Sequence, residues 1–358
     1  MASKILSDHR KAYGDFEAID FVDEKEIAAL RSKVDVDVPL DLCWSWEYGS
    51  EVEELRNLYE RGKKGQWNAE TDIDWKQPFP RDEWFVPRQN ALMMPSILTM
   101  MGADEETCRE AAWDEFAHLL SQLLHGEQAA LQLCGQLTNA CPTMDHKFYA
   151  GSQVIDEVRH VEVISKFLQR KMGVLYPINP TLKILLDMLL EAPTWKMKTL
   201  GMQTLFEGMA VGIFDAIAKV TTNPLLKDVI RRVQLDESRH AAFGILCMRQ
   251  VVKESEPEEL HEMEDFAFTI LEALNANQQL DMLRLLGGKY GLDAENVTQS
   301  TLALPQWQAI NSEIYMHTVV PNLKRLGLIT ERTEDEYRRI GILFGDRFEA
   351  QYQLPLAN

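Results

Sequence analysis

The fold of this chain is decided by a five-residue stretch that occurs twice, as Asp156-Glu157-Val158-Arg159-His160 and as Asp236-Glu237-Ser238-Arg239-His240. Both copies follow the pattern D-E-x-R-H. Residues three apart in a helix lie on the same face, so each copy points a carboxylate and an imidazole in one direction. A single E-x-x-H pair is common on a solvated helix surface. Two copies of a longer pattern indicate a shared chemical task.

The sequence around both copies is predicted to be helical. Helix start signals, prolines and glycines delimit predicted helices at about 104–139, 145–172, 181–220, 224–256, 258–286, 306–326 and 332–351. The third is broken at Ala192-Pro193, and 287–305 is predicted to be a loop. No series of strands with alternating polarity is present, so the predicted class is all-α.

Two more glutamates precede the copies by equal intervals. Glu127 lies thirty residues before Glu157, and Glu207 lies thirty residues before Glu237. Glu207 stands in 200–218, which is apolar on almost all sides and is therefore predicted to be buried. A buried carboxylate must be protonated, ion-paired or metal-bound, because an unpaired interior charge is costly.

Carboxylates and imidazoles converging from four antiparallel helices predict a dinuclear metal site. The predicted ligands are Glu127, Glu157, His160, Glu207, Glu237 and His240. Four carboxylates balance two divalent cations, which leaves a neutral cluster. These ligands suit iron or manganese and disfavour copper(I). The alternative, a buried salt-bridge network with Arg159 and Arg239, does not account for the even spacing of a duplicated set.

The aspartate and arginine of each copy are predicted to support the ligands from outside. A metal-bound histidine usually donates its second N–H to a carboxylate. We therefore expect Asp156 and Asp236 each to pair with the histidine of the opposite helix, with Arg159 and Arg239 orienting the aspartates.

With these residues in place, the chain resembles the ferritin-like carboxylate-bridged di-iron oxidase and oxygenase superfamily over residues 105–250. The D-E-x-R-H form is most similar to soluble bacterial multicomponent monooxygenase hydroxylases. The overall size resembles stand-alone oxygenases related to p-aminobenzoate N-oxygenase. The resemblance implies a ferritin-like four-helix bundle whose six ligand residues bind two iron ions that react with O2 as co-substrate.

Three positions depart from these families. The ribonucleotide reductase small subunit has a radical tyrosine four residues after its first ligand histidine, where this chain has Ile164. The hydroxylases usually have a threonine at the position of Val211, and the N-oxygenase has an extra histidine at that of Val233. The resemblance therefore implies a plain six-ligand site without a stored tyrosyl radical.

Composition limits the classes of partner. The chain has 358 residues, with 37 Lys plus Arg against 56 Asp plus Glu and a net charge of −19, so nucleic-acid binding is not expected. No apolar run reaches the length of a membrane span, and no signal core begins the sequence. Five scattered cysteines without a C-x-x-C pair fit a reducing cytoplasm.

The chain is predicted to form one compact body of three parts. Residues 1–90 form an irregular N-terminal arm that packs on the bundle, with tryptophans in packing roles. Residues 91–255 form the bundle, and residues 256–358 form a C-terminal helical extension.

Positions one turn from the ligands are predicted to line a substrate pocket for an aliphatic or aromatic moiety. They are Ala130, Leu131, Val161, Ile164, Gln203, Ala210, Val211, Phe214, Ala241 and Gly244. Close packing of helices through small residues is an equal alternative.

The leading hypothesis for function is a monooxygenase that hydroxylates carbon or oxidises an amine nitrogen of a small organic substrate. It implies two iron ions, with manganese as an alternative, and an electron-donating reductase or ferredoxin. Basic segments at 166–171 and 231–232 are candidate docking sites for that donor. The second hypothesis is metal handling, by a ferroxidase or a di-manganese redox protein. Assembly of the chain into a homodimer is compatible with both hypotheses.

Overall fold

The computed structural model describes residues 42–87, 92–293 and 314–343 and the single positions 38 and 297, with the backbone alone at 276–279. These residues are predominantly helical and contain no β-strand, which confirms the predicted class. Within the same residues, no helix is both long enough and apolar enough to cross a bilayer.

Eleven α-helices are formed by these residues: α1 (Glu53–Lys64), α2 (Met93–Met100), α3 (Glu105–Ala140), α4 (Met144–Phe167), α5 (Pro180–Glu191), α6 (Trp195–Lys198), α7 (Glu207–Val220), α8 (Pro224–Glu254), α9 (Pro257–Leu286), α10 (Val320–Leu326) and α11 (Glu334–Arg339). Short π-helices extend or join several of them, at Leu168–Met172, Thr199–Phe206 and Tyr315–Val319. The π-helix at Thr199–Phe206 makes α6 and α7 one continuous rod, interrupted only in hydrogen-bonding pattern.

Local capping residues account for the helix starts in the bundle. Asp104 accepts a hydrogen bond from the Thr107 amide at the start of α3, and Thr143 accepts one from the His146 amide at the start of α4. Asn223 caps α8, whose first residue is Pro224. The connections at 141–143 and 221–223 are three residues long, so α3 and α4, and likewise α7 and α8, run antiparallel.

The predicted helices differ from the structure mainly in the C-terminal part. The stretch at Gly287–Tyr290 forms a 3-10 turn where a loop was predicted. The helix predicted at 332–351 is wrong at 340–343, because α11 ends at Arg339 and Gly341 adopts a φ of +74° that stops it. Positions 306–313 and 344–351 of the predicted helices lie outside the described residues.

The apolar core has two parts, with the predicted ligands between them. On α4, for example, Tyr149 belongs to one buried cluster and Ile164 to the other, and Glu157 lies between them. On α8, Phe243 and Val233 flank the second copy in the same way. A layer of buried charge therefore crosses the bundle at mid-height.

The arm packs on the bundle where it is described. Helix α1 lies against α4 and α8. Beyond it, Ile73, Phe79 and Phe85 join the same apolar cluster as Ile164. Phe79 contacts the ring of Phe167 edge-on at 4.9 Å between centroids.

Candidate metal centre

The six predicted ligands meet in the interior of the bundle. Glu127 comes from α3, Glu157 and His160 from α4, Glu207 from the first residue of α7, and Glu237 and His240 from α8. Four of them have no exposed surface, and Glu127 and Glu207 are 6% and 4% exposed. Bulk water therefore does not solvate these charges.

His160 lies at the centre of what we call the first donor cluster. Its Nδ1 is 3.2 Å from Glu127 Oε2, 3.3 Å from Glu157 Oε2 and 2.8 Å from Glu237 Oε1. One nitrogen can donate a single hydrogen bond, yet three carboxylate oxygens surround it. That surplus of lone pairs around one point is the arrangement that a cation requires.

His240 holds an equivalent place in the second donor cluster. Its Nδ1 is 3.3 Å from Glu157 Oε1, 3.3 Å from Glu237 Oε2 and 3.8 Å from Glu207 Oε2. The two imidazole rings are 5.7 Å apart between centroids. Glu157 and Glu237 therefore direct one oxygen at each imidazole, while Glu127 and Glu207 each serve one cluster.

The donor set fits two divalent metal ions. In each cluster, one ligand atom of every residue lies within 4.8 Å of the others, for Glu127, Glu157, His160 and Glu237 and for Glu157, Glu207 and His240. Glu157 Oε2 and Glu237 Oε1 are buried and have no well-aligned hydrogen-bond donor among the described residues, although His160 Nδ1 lies 2.8 Å from Glu237 Oε1. Buried acceptors without donors are rare and need an explanation. A metal ion between them supplies one.

The electrostatics of the cluster show the same lack of positive charge. Burial disfavours a charged imidazole, but the carboxylates of Glu127 and Glu237 outweigh it and hold the pKa of His160 well above its ordinary value. Burial and the neighbouring Glu237 carboxylate raise the pKa of Glu127 and of Glu207 well above that of a free glutamate. The carboxylates of this cluster therefore favour bound positive charge, whether as protons or as metal ions.

The outer nitrogens of both histidines make the crossed pairs expected from the sequence. His160 Nε2 lies 3.2 Å from Asp236 Oδ2, and His240 Nε2 lies 3.3 Å from Asp156 Oδ2. Such a contact leaves Nδ1 free to face the donor cluster. The prediction of pairing across the two helices is confirmed.

Both arginines hold these aspartates, again as predicted. Arg159 donates to Asp156 at 2.6 Å and to Asp236 at 3.1 Å, and Arg239 donates to Asp236. All four side chains are at most 17% exposed. The positive charge of the arginines thus balances the two aspartates, and the four glutamates are left for the metal ions.

Two residues of the arm complete this outer network and were missed from the sequence. Gln66 donates to Asp156 at 2.8 Å and accepts a hydrogen bond from Arg159. Trp67 Nε1 donates to Asp236 at 2.8 Å, and its ring lies 5.2 Å from the Arg159 guanidinium carbon. No spacing rule connects an irregular segment to residues 90 and 169 positions away.

Gln153 is a further missed residue, on α4 one turn before Glu157. Its Nε2 donates to Glu157 Oε1 at 2.7 Å and to Glu207 Oε1 at 2.9 Å. The side chain has no exposed surface. The signal for it was available, because a polar residue four positions before a ligand shares the ligand face.

The predicted pocket residues lie on both sides of the ligand layer. Buried Ala130, Gln203 and Gly244 lie one turn from the ligands towards one end of the bundle, and buried Ile164, Val211 and Phe214 lie towards the other. Ala241 is also buried, whereas Leu131, Val161 and Ala210 are partly exposed. At Gly244 a Cβ atom would stand 2.6 Å from the Gln203 backbone, so close helix packing accounts for that glycine. A pocket stays a prediction.

Comparisons with known proteins give the following. No protein-family model and no curated protein matches the sequence. Among solved structures, an R2-like ligand-binding oxidase with an aerobically reconstituted metal cofactor after photoconversion is 16% identical, with a TM-score of 0.46, over 79% of this chain and 99% of that chain. A variant of such an oxidase with an aerobically reconstituted Mn/Fe cofactor is 17% identical, with the same TM-score and coverage.

The helical architecture and the donor set match the ligand pattern described for ferritin-like di-metal carboxylate bundles. In that class, facing helices of a bundle supply a glutamate from each of two helices and a Glu-x-x-His pair from each of the other two. Here α3 and α7 supply the single glutamates, and α4 and α8 supply the pairs.

Proposed function

We propose that this protein is a non-haem di-iron oxidoreductase that uses O2 to hydroxylate carbon or to oxidise an amine nitrogen of a small organic substrate. The observation that carries the proposal is the pair of donor clusters that share Glu157 and Glu237. Glu157 and Glu237 would each contribute to the binding of both ions of a metal pair, which would hold the two ions close together.

The ligand types favour iron, with manganese as the alternative. Glu127, Glu157, Glu237 and His160 would hold one ion, and Glu157, Glu207, Glu237 and His240 the other. Carboxylate oxygen with imidazole nitrogen suits these metals, whereas Cys134 is a buried thiol outside both donor clusters. When bound, the metal pair supplies reductive activation of O2.

The residues of the chain itself would bind the metal ions, orient the histidine ligands and shield the site from water. Asp156 and Asp236 keep both histidines in the tautomer that presents Nδ1 to the clusters. Apolar side chains such as Ile164 and Phe214 keep water away from one side of the site. That side would receive the aliphatic or aromatic part of a substrate.

The reaction needs electrons from outside the chain. Hydroxylation converts R–H, O2, two electrons and two protons into R–OH and water, so a reductase or ferredoxin has to supply two electrons per turnover. The basic segment at 166–171 is a weaker docking candidate than its sequence indicated, because Lys166 pairs with Glu70 and Lys171 donates to two arm carbonyls. Arg231 stays exposed.

Iron handling is the second candidate, and the anchoring of the ligands argues against it. A ferroxidase releases the ions it oxidises. Here both histidines are fixed by buried aspartate and arginine pairs, and all six donors are shielded from solvent. Such a site is built to retain its ions as a cofactor.

One set of measurements separates the two candidates. The protein is loaded anaerobically with Fe²⁺, exposed to O2 and followed by its optical spectrum, and O2 uptake is then measured with an electron donor and with candidate alkyl, aryl and amine substrates. We expect two irons per chain, a long-lived coloured species and substrate-dependent uptake. Rapid conversion to a ferric product that leaves the protein, with no effect of any substrate, would refute the oxygenase.

A further inference from the structure

We propose that Gln153 is a positioning residue that sets the affinity of the second donor cluster for its metal ion, and that the two clusters are unequal for this reason. The inference rests on the proposed di-metal site. It concerns a residue outside the ligand set and outside the duplicated pattern.

The two hydrogen bonds of Gln153 both go to the second donor cluster. They reach Glu157 Oε1, which is the oxygen that faces His240, and Glu207 Oε1. Glu157 lies on α4 and Glu207 begins α7, so a single amide nitrogen joins ligands from two helices. Both of its N–H groups are used.

Among the residues that the structure describes, no side-chain amide donates to the ligands of the first donor cluster that Gln153 does not reach. Its oxygens Glu157 Oε2 and Glu237 Oε1 receive no well-aligned hydrogen bond from the described residues, although His160 Nδ1 lies 2.8 Å from Glu237 Oε1. Glu127 Oε2, the remaining carboxylate oxygen of this cluster, contacts only its own histidine, His160, among the described residues. Glu127 and Glu237 of this cluster instead lie beside an imidazole at 2.8 to 3.2 Å.

The Gln153 amide restrains the position of the Glu207 carboxylate. This carboxylate makes the longest contact to its histidine, 3.8 Å from His240 Nδ1, so the imidazole constrains it least. Glu157 and Glu207 also repel each other when both are ionised in a buried site. A neutral donor placed between them keeps the two carboxylates at the separation that an ion needs, without adding a charge.

The orientation of Gln153 is fixed by the same contacts. Its N–H groups must face the carboxylates, which turns Oε1 away, and that buried oxygen has no hydrogen-bond donor. A buried amide is retained at the cost of an unsatisfied acceptor, which indicates that its two donated bonds matter.

The test is a metal titration that compares Gln153→Met with a matched control, Gln203→Met. Methionine fills a similar volume but donates no hydrogen bond. Gln203 has the same residue type, also has no exposed surface and lies four residues before Glu207, but it donates to Cys134 Sγ and not to a ligand. Co²⁺ is the probe, added anaerobically and followed by its visible absorption and by equilibrium dialysis.

Two ligand variants identify the clusters in the titration. Glu127→Ala removes a ligand of the first cluster only, and Glu207→Ala removes one of the second only. We expect Gln153→Met to lower the affinity for the ion that Glu207→Ala loses by about ten- to hundredfold. The affinity for the other ion should stay unchanged. Gln203→Met should bind both ions like the parent.

The outcomes separate this inference from the proposed function. A parent protein that binds no Co²⁺ refutes the di-metal site itself. If the parent binds two ions and Gln153→Met either binds both as tightly as the parent or loses both to the same extent, the role of Gln153 is refuted. The proposed di-metal site then still stands. If Gln153→Met does not fold, Gln153→Asn keeps the amide but withdraws it by one methylene, and it must show the same selective loss.

Discussion

Replacing Asp236 by leucine removes an acceptor on which four donors converge. Trp67 and Arg159 donate to its Oδ2 at 2.8 and 3.1 Å, His160 Nε2 lies 3.2 Å from the same oxygen, and Arg239 donates to Oδ1. The side chain is 1% exposed. Leucine therefore leaves the Trp67 and His160 N–H groups buried without an acceptor and takes from Arg239 its only carboxylate partner among the described residues, while Arg159 keeps Asp156 alone.

The expected loss of stability follows from the charge state and the burial of Asp236. Burial alone would raise the pKa of Asp236, but the His160 and Arg239 contacts outweigh it and lower the pKa to about 2. Against an unfolded value of about 3.9, that shift corresponds to about 2.6 kcal/mol of stability above pH 4, which is lost as the pH falls towards 2. Asp236→Asn should lose about this amount, and Asp236→Leu about 3–5 kcal/mol.

The assay combines denaturant unfolding of the metal-free protein with iron content and turnover after loading. Metal affinity or turnover should fall about ten- to hundredfold in Asp236→Asn and further in Asp236→Leu. Asp228→Asn is the control on the same helix, because its pair with Arg232 is partly exposed and should be worth no more than about 1 kcal/mol. If Asp236→Leu unfolds like the parent and binds two irons, the outer network has no role in holding the histidines.

Three further predictions concern other parts of the molecule. Glu157→Ala or His240→Ala should remove at least one metal ion and abolish O2-dependent turnover with the circular dichroism unchanged, and full occupancy in both would contradict the ligand assignment. Glu115 accepts two amide hydrogen bonds at the start of α2, but burial outweighs them and raises its pKa to about 7. The free energy of unfolding should therefore fall by about 3 kcal/mol as the pH rises from 4.5 to 7. Glu115→Gln should lack that fall when denaturant unfolding is measured across the same pH range. Gly244→Ala should cost about 1–3 kcal/mol or more because its Cβ would meet backbone at 2.6 Å, whereas Gly135→Ala, with open space around it, should gain up to about 1 kcal/mol in thermal unfolding.

The parts of the site that the sequence predicted are those set by helix geometry. An E-x-x-H pair fixes its own face, so finding Glu157 and His160 in one place requires only that α4 is a helix. The same geometry places Asp156 about 100° from Glu157, which directs it to the opposite histidine and not to its own metal position. The crossed aspartate pairs were predictable for this reason.

The parts that escaped prediction depend on tertiary contacts or on single backbone angles. Gln66 and Trp67 reach the site from an irregular segment whose path no periodicity describes. The end of α11 depends on the positive φ of Gly341, in a stretch whose amphipathic pattern continues past it. The pocket stays a prediction, because a position one turn from a ligand does not by itself fix where its side chain points, and Leu131 is partly exposed.

The contacts of Gln66 and Trp67 also connect metal binding to the docking of the arm. They hold the aspartates that hold the histidines, so an ion that binds more tightly when the arm is docked must also make the arm dock more tightly, by the same factor. The arm then reports on the metal without touching it. Protease cleavage or amide exchange around residues 65–67 should slow when the ions bind, and should become faster again when a chelator removes them.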